Sequence, residues 1–463
     1  MDKYKKLASD TIVFGIGNFG VKLIYFFLMP IYTMALSKEE FGLADLLSNG
    51  LSLLMPALTL SITDAVFRFT LDKGSNPSVL LSNGVRVLTQ SYLVVLLFIG
   101  IVYIFVDLPV YWILIIGNYI FESLKSLFAQ FTRALGKVWD FAANGIGSAL
   151  VLLISTYILV YKLRSGVNGY ILSFIIAELA SIAFLCVRVP ILQYIKIKAY
   201  DKDLLRQMLV FSVPLIPNML SWWVTNISSR YIIAGFCGLG AAGLFASASK
   251  LPALMNVFST IFQQSWQFAS VKEYQESSKS SFYSKVFQQY SFLCHLVGSV
   301  MIAVVPFISK LVLQGEFYQA WVYTPLLLFS ALLGCYSIFF GTFYAVVKDN
   351  VKSMYTTLIG ASVNILICIS IIPIIGVEGA LIANVCSYAV IVLLRIKDVR
   401  KYITIEIEER KLFFGLSLCF SQAIIYMFSI IIGLIISVVS ICGIVIINRK
   451  AMKALLIKFN IKR

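Results

Sequence analysis

Apolar runs of about 20 residues recur along the whole chain at intervals of about 30 residues, separated by short polar connections. Each run is long enough to cross a bilayer as an α-helix, and the alternating pattern of an outer-membrane β-barrel is absent. The pattern therefore predicts an all-α polytopic membrane protein with about 14 transmembrane helices. These lie at residues 11–36, 42–69, 80–106, 109–134, 138–162, 166–188, 207–235, 241–268, 287–312, 321–346, 353–374, 376–395, 412–428 and 431–448.

The boundary between the last two helices is inferred, because the stretch 412–447 contains no charged residue that would mark it. As one helix, its 36 residues would be longer than the roughly 30 Å hydrocarbon core of a bilayer. A hairpin of two helices is therefore expected here. The basic N-terminus leads into an apolar run too long for a signal peptide, so the first span is expected to remain uncleaved.

Composition supports this class. The chain has 463 residues, of which 60% are hydrophobic and only 13% are charged, and its mean hydropathy is +0.90. A soluble protein would carry about twice that share of charge. The eight cysteines are scattered singly and His295 has no clustered partners, so neither a metal site nor a cofactor is expected.

Lysine and arginine set the expected orientation, since cytoplasmic loops are enriched in them. With the N-terminus inside, 30 of the 38 lysines and arginines fall at cytoplasmic ends and loops and 4 fall in outer loops. The net charge of +16 thus reflects topology rather than nucleic-acid binding. We expect both termini in the cytoplasm and short outer loops, which leave no room for an outer catalytic domain.

Two long basic connections, 189–206 and 396–411, divide the predicted helices into groups of six, six and two. Segments 42–62 and 243–263 align without a gap at an offset of 201 residues. This weak repeat favours two like-oriented lobes around a central cavity, as in transporters. The expected organisation is a six-helix lobe at 1–188, a linker at 189–206, a second lobe at 207–395, a linker at 396–411, and a helix pair with a basic tail at 412–463.

Ionisable residues inside the predicted spans are candidates for function, because a charge in hydrocarbon is costly and rarely faces lipid. They are Lys22, Asp64, Glu122, Lys125, Glu178, Arg230 and Lys250. Lys22 shares one helix face with Asn18 and Tyr25, which gives that helix a polar stripe. Asn218, Ser221 and Thr225 form a similar stripe in the seventh span.

Several of these residues also have structural interpretations beside the functional ones. Asp64 with Arg68, and Glu122 with Lys125, are spaced to pair along one helix face. Arg230 either faces a cavity or extends to the outer interface. Glu178 serves either as a proton or cation site or as the structural partner of a lysine.

The in-span charges without a nearby acid are cationic, and a cavity lined by fixed cations favours an anion. A phosphate on a large amphipathic substrate fits this better than a cationic drug does. The candidate substrate-binding residues are Asn18, Lys22, Tyr25, Asn218, Ser221, Thr225, Arg230 and Lys250. The candidate ion-coupling residues are Asp64, Glu122 and Glu178.

Three stretches carry a family resemblance: PLIPNMLSWWVTNISSRYII at 214–233, SKLPALMNVFSTIFQQSWQFA at 249–269, and FLMPIYTMALSKEEFGLADLLS at 27–48 followed by DAVFRFTLD. The chain resembles the bacterial O-antigen and capsule repeat-unit flippases of the multidrug/oligosaccharidyl-lipid/polysaccharide exporter superfamily. Relatives commonly have an acid before the arginine, whereas this chain has Ser229 before Arg230.

The resemblance implies a function. It implies alternating-access flipping of undecaprenyl-pyrophosphate-linked oligosaccharide across the bacterial cytoplasmic membrane for surface polysaccharide synthesis. It also implies a polysaccharide polymerase and chain-length machinery as partners, and a lipid groove at the last two helices. The alternatives are a multidrug or peptidoglycan-precursor exporter of the same superfamily, a polymerase or ligase enzyme, and a membrane scaffold. The short outer loops argue against the enzyme, and the in-span lysines argue against the scaffold.

Overall fold

The structure is a computed structural model that describes residues 20–72, 74–196, 199–273, 279–347, 349–403, 405–449 and 452. Within these residues the chain is almost entirely helical and has no strand. The helices are α1 (Gly20–Ala35), α2 (Lys38–Leu58), α3 (Ile62–Thr70), α4 (Pro77–Phe105), α5 (Val110–Ala134), α6 (Val138–Thr156), α7 (Gly166–Arg188), α8 (Ile191–Tyr194), α9 (Lys202–Ser212), α10 (Ile216–Ala248), α11 (Pro252–Glu273), α12 (Lys279–Val312), α13 (Thr324–Val346), α14 (Asn350–Ile375), α15 (Val377–Val399), α16 (Glu409–Tyr426) and α17 (Ile430–Ile447).

The predicted class, an all-α polytopic membrane protein, is confirmed. In the described part of the chain, 12 helices are long and apolar enough to cross a membrane, which is close to the predicted number. α11 and α16 are not among the 12. Both begin or end in charged residues, such as Glu409 and Lys411 in α16. α1 is described only over 16 of the residues predicted for the first span.

The seventh and eighth predicted spans are interrupted where the sequence carries helix breakers. Pro214 lies in a short 3₁₀ segment between α9 and α10, because proline has no N–H for the helical ladder. α10 breaks at Gly238, whose φ of 85° is a conformation that only glycine adopts without strain. A turn at residues 249–251 then separates α10 from α11, which begins at Pro252. Each predicted span is thus built from two shorter helices.

The chain divides into two compact units, Met1–Trp223 and Val224–Arg463. In the first unit, α3, α4 and α5 enclose an apolar core that also includes residues following α7. Ile62, Leu81, Leu127 and Met208 are completely buried in it. Helices α5 and α6 both pack against α7.

The second unit has an aromatic core between α11, α12 and α13. The rings of Phe262 and Tyr290 stack with centroids 4.0 Å apart, and Trp266 stacks on Phe339 at 4.8 Å. Large aromatic side chains bury much apolar area, so this layer accounts for a large share of the packing in the unit. Helices α16 and α17 pack on α12 and α13 beside it.

The segment predicted as the first linker is closely packed on α4. Val189 and Ile191 are completely buried. The Asn83 side chain donates a hydrogen bond to the Asp201 carbonyl at 3.1 Å, and the Lys196 N–H donates to the Ser82 hydroxyl at 2.9 Å. The segment therefore holds a defined position on the first unit. The lobe boundaries at residues 188 and 207 stay a prediction.

Candidate ion-coupling site

The first part of the site is a polar face on α5. Asn118, Glu122 and Lys125 are spaced by four and three residues, so they lie on one side of the helix. Helix α5 approaches α7 closely at Gly117, where a Cβ atom would lie 3.4 Å from the Ile175 Cδ1 atom. Small residues at such a contact let membrane helices approach. This contact brings the polar face of α5 near the middle of α7.

Glu178 is the buried acid at the centre of the site. Its side chain on α7 is 2% exposed, and its Oε2 atom has no hydrogen-bond partner among the described residues. Glu178 lies within electrostatic range of Glu122, which repels its negative charge, and of Lys125, which attracts it. No ion pair forms between Glu122 and Lys125 in the described structure, although their spacing predicts one.

Tyr25 on α1 extends the site toward the surface of the first unit. Its phenol lies within electrostatic range of both Glu122 and Glu178, and its side chain is 44% exposed. Lys22, one turn earlier on α1, is exposed as well. Helix α1 is held against α6 by contacts around Gly145, where a Cβ would lie 3.4 Å from Val21. We call Tyr25, Glu122, Lys125 and Glu178 the Glu178 cluster.

The Glu178 cluster has the composition of a proton or monovalent cation site. Two carboxylates and one ammonium leave one net negative charge if all three are ionised. An ionised carboxylate without hydrogen bonds is costly in a low-dielectric interior, so uptake of a proton or cation relieves that cost. Within the described residues no group of three or more His, Cys, Asp or Glu is arranged to hold a metal ion.

The polar residues predicted in the seventh span divide between the two units. In the first, Ser221 donates a hydrogen bond to the Pro217 carbonyl one turn earlier. The side chains of Asn218 and Thr225, like the whole of Asn18, lie outside the described part of the structure. Trp223 donates from its indole N–H to the Asn49 carbonyl at 2.9 Å, which fixes α10 against α2.

Ser229 directly precedes Arg230 in the seventh predicted span. It is buried in the second unit, and its hydroxyl donates to the Asn364 Oδ1 atom at 2.9 Å. The Asn364 amide in turn donates to Asn384 at 3.0 Å. This polar chain joins α10, α14 and α15. Arg230 follows it and is half-buried.

One prediction about a charged residue is wrong in detail, and one alternative is not realised. Lys250 was expected inside a helix, but it lies in the turn at residues 249–251 that precedes Pro252. Asp64 is spaced to pair with Arg68, which was one of its two interpretations, but Arg68 contacts Asp72 at 2.5 Å instead. Both carboxylates are spaced to reach the arginine, and Asp72 at the end of the helix lets the pair remain exposed, where it costs less.

Arg395 near the end of α15 is a buried cation that the sequence reasoning missed. It is 7% exposed, and its guanidinium donates to the Ser337 carbonyl at 2.6 Å and to the hydroxyls of Thr356 and Thr357 at 3.1 and 3.0 Å. In the lysine and arginine count that predicts orientation, Arg395 falls with the cytoplasmic basic residues that follow it. Its position between Leu394 and Ile396 is the only signal in the sequence that sets it apart.

No family model matches the sequence, and no curated protein matches it either. Several solved structures share its fold. A lipid II flippase, MurJ, in an inward closed conformation has a TM-score of 0.69 at 15% identity, covering 95% of this chain and 100% of its own. An inward-facing multidrug resistance MATE family transporter of the MOP superfamily has a TM-score of 0.66 at 13% identity, covering 82% of this chain and 95% of its own.

A third solved structure is a MOP superfamily transporter from Pyrococcus furiosus, described as having a binding pocket of reversed polarity that suggests a different function. Its TM-score is 0.56 at 14% identity, and it covers 86% of this chain and 96% of its own. The chain thus has the fold of these membrane transporters.

Proposed function

We propose that the protein is a transporter that flips a lipid-linked oligosaccharide pyrophosphate from the cytoplasmic to the outer leaflet of a bacterial cytoplasmic membrane. The observation that carries this proposal is the likeness to the lipid II flippase, which extends over 95% of this chain and all of the other. The likeness to the multidrug transporter covers 82% of this chain. The lipid II flippase therefore aligns with more of the chain than this multidrug transporter does, which supports the proposal of a flippase.

The cargo is proposed to be an undecaprenyl-pyrophosphate-linked repeat unit of a surface polysaccharide. Support comes from the sequence stretches at 214–233 and 249–269, which resemble repeat-unit flippases. The lysines Lys22 and Lys250 and the arginine Arg230 are proposed to attract the pyrophosphate, with Asn18, Tyr25, Asn218, Ser221 and Thr225 offering hydrogen bonds to sugar or phosphate. A polymerase and chain-length machinery would then receive the flipped unit.

Lipid II is the second candidate cargo, because a flippase that covers 95% of this chain is named for it. Both cargoes present a pyrophosphate and a polyprenyl tail, and they differ in the sugar. The residues that would contact pyrophosphate are therefore the same in both cases.

Transport is proposed to be coupled to protons at the Glu178 cluster. A buried carboxyl group that exchanges a proton changes the charge of its surroundings, and such a change biases a helix bundle between two states. The exposed Tyr25 offers a route from the surface to Glu178. Asp64, partly buried on α3, is the remaining candidate for coupling.

The test is flipping by the full-length protein in proteoliposomes that contain fluorescent undecaprenyl-pyrophosphate oligosaccharide in the inner leaflet. The signal is the fraction of label that an impermeant quencher reaches when a pH gradient is imposed. We expect flipping of the oligosaccharide lipid above that of empty vesicles. Parallel vesicles contain labelled lipid II or a cationic dye. Transport of the dye with neither lipid moving would overturn the proposal, and movement of lipid II alone would assign the second cargo.

A further inference from the structure

Two adjoining cavities lie on the first unit where α4 meets the segment before α9. The smaller, of about 340 Å³, is lined by residues of α4 and of the connecting segment, among them Asn83, Arg86 and Lys196. The larger, of about 830 Å³, follows α9 from Lys202 to Pro214. Tyr200 lines both cavities, and we call the two together the basic groove.

One end of the basic groove is cationic. Arg86, Lys196, Lys202 and Arg206 line it, against a single lining acid, Asp203. The Arg86 guanidinium lies over the Tyr200 ring, 4.2 Å from its centroid, which fixes its position. None of the four cations forms an ion pair within the described part of the chain. This end of the groove therefore presents a net positive charge to an anion.

Asn83 adds a hydrogen-bond acceptor at the same end. Its side chain is completely buried, and its amide nitrogen donates to the Asp201 carbonyl at 3.1 Å. A carbonyl cannot donate, so the partner fixes which way the amide points. The Asn83 Oδ1 atom is then left without a partner among the described residues. An orphaned buried acceptor favours a ligand that carries a hydroxyl donor.

The other end of the basic groove is apolar. Leu209, Val210, Val213 and Pro214 line it, and Val210 is 69% exposed. A free phosphate or a sugar phosphate gains nothing from this wall, whereas an acyl chain does. The stretch Lys202–Ser221 is long and apolar enough to cross a membrane, so the cations at its start would lie at headgroup level and the exposed apolar side chains after them would contact acyl chains.

We propose that the basic groove binds an anionic phospholipid with a glycerol headgroup, such as phosphatidylglycerol. The phosphodiester contacts Arg86, Lys196 and Arg206, a headgroup hydroxyl donates to Asn83, and an acyl chain lies along Val210 and Val213. This binding is separate from the transported cargo and goes beyond the transport proposed above. It holds the segment between the first predicted lobe and α10 against the bilayer surface.

The test measures lipid affinity of the full-length protein in detergent by thermophoresis, with dioctanoyl lipids as probes. We expect phosphatidylglycerol to bind, and to bind roughly 5-fold more tightly than phosphatidylmethanol, which has the same charge and no hydroxyl. Glycerol phosphate and inorganic phosphate are expected to bind far more weakly, since they lack the acyl chains. Equal affinity for phosphatidylglycerol and phosphatidylmethanol would overturn the headgroup assignment.

The variants locate the site. The double variant R86Q/R206Q is expected to bind phosphatidylglycerol roughly 30-fold more weakly, at about fivefold for each cation removed near a membrane surface. The matched control K285Q/K310Q removes two exposed cations elsewhere and is expected to bind as the unmodified protein does. Equal binding by both double variants would overturn the site. The site assignment would also be overturned if R86Q/R206Q lost undecaprenyl-pyrophosphate binding while its phosphatidylglycerol binding stayed intact.

Discussion

Glu178 is a buried acid, and the coupling proposed above requires its charge to change during transport. A permanently ionised carboxylate in this setting lacks hydrogen bonds and is repelled by Glu122, with Lys125 as its only favourable neighbour in the cluster. If the carboxyl group of Glu178 stayed neutral throughout, a glutamine could take its place at no electrostatic cost. A group that exchanges a proton during a cycle uses both forms, and this is the ordinary role of intramembrane carboxylates in transporters.

Glu178→Gln is expected to abolish the response of flipping to an imposed pH gradient, because the amide keeps the shape but cannot exchange a proton. A proton gradient equivalent to 100 mV is worth about 2.3 kcal/mol for each proton moved, so without coupling the gradient-driven distribution should fall roughly 50-fold. The measurement is flipping in proteoliposomes with and without a gradient. The variant is expected to fold, since glutamine fits the same space.

The matched control is Glu316→Gln, an exposed acid in the second unit, which should leave the pH response unchanged. If Glu178→Gln flips its cargo with a normal pH response, coupling lies elsewhere. Glu122 and Asp64 would then be the next positions to change.

At the residue scale, the sequence identifies which side chains are unusual but not what surrounds them. Glu122 and Glu178 are conspicuous because they interrupt apolar runs. Their proximity depends on the packing of α5 on α7, about which helical periodicity says nothing. Arg395 was missed for the opposite reason: it stands beside a basic cluster, and only the packing of α13, α14 and α15 shows that it is buried.

The contact between α13 and α15 is built around Arg395 and a glycine. A Cβ atom at Gly341 would lie 2.5 Å from the Arg395 Nη1 atom and 3.3 Å from Cζ. The guanidinium cannot move aside easily, since it is held by hydrogen bonds to Ser337, Thr356 and Thr357. The glycine therefore provides the space that this buried arginine needs.

Gly341→Ala is expected to destabilise the protein by about 1–3 kcal/mol, the usual cost of overpacking. In an Arg395→Ala background the same change should cost much less, because the clashing atoms are gone. The measurement is the thermal unfolding midpoint of the four proteins of this double-mutant cycle in detergent. Gly235→Ala is the matched control, since a Cβ there meets nothing within 4 Å. Additive effects of the two changes would contradict the assigned contact.

A buried amide joins the C-terminal helix pair to the second unit. The Gln422 side chain on α16 accepts from the Ser299 hydroxyl at 2.7 Å and donates to the Ser299 carbonyl at 2.9 Å and the Ser437 hydroxyl at 2.8 Å. Helices in lipid lack a hydrophobic driving force for association, so such bonds contribute to docking. One residue thus connects α12, α16 and α17.

Gln422→Leu is expected to lower stability by about 1–2 kcal/mol, because it breaks these bonds and leaves the Ser437 hydroxyl with fewer partners. Limited proteolysis should cleave the α16–α17 pair from the variant at lower protease concentration than from the unmodified protein. Ser417→Ala, on the same helix, is the control for a general effect of altering α16. Identical cleavage of all three proteins would show that the amide does not hold the pair.

At the element scale, hydropathy predicts where helices lie but not where they break. The expected span at 207–235 follows from its apolar length, yet its helix begins as α9 and restarts after Pro214. The break at Gly238 and the turn before Pro252 need backbone conformations that a hydropathy window averages away. The prolines are visible in the sequence, but whether each one kinks or ends a helix depends on the tertiary contacts around it.

For the whole molecule, the orientation in the membrane remains a prediction from the charge distribution. The fold is that of membrane transporters, while the side of the membrane on which each end lies follows from the lysine and arginine count alone. Helix α12 offers a direct test because it carries an exposed lysine near each end, Lys285 and Lys310. The two lysines are 25 positions apart, which corresponds to about 38 Å along a helix and exceeds a roughly 30 Å hydrocarbon core.

Lys310→Cys is expected to react with a membrane-impermeant maleimide on spheroplasts, whereas Lys285→Cys should react only after the membrane is opened. Both are made in a variant whose eight natural cysteines are replaced, since Cys237 and Cys442 are exposed. The pair is internally controlled, because one helix carries both positions and each change removes one cation. The N-terminus and the basic groove are assigned to the cytoplasm by the same count. Labelling of Lys285→Cys alone in intact spheroplasts would invert the topology and place the basic groove at the outer leaflet.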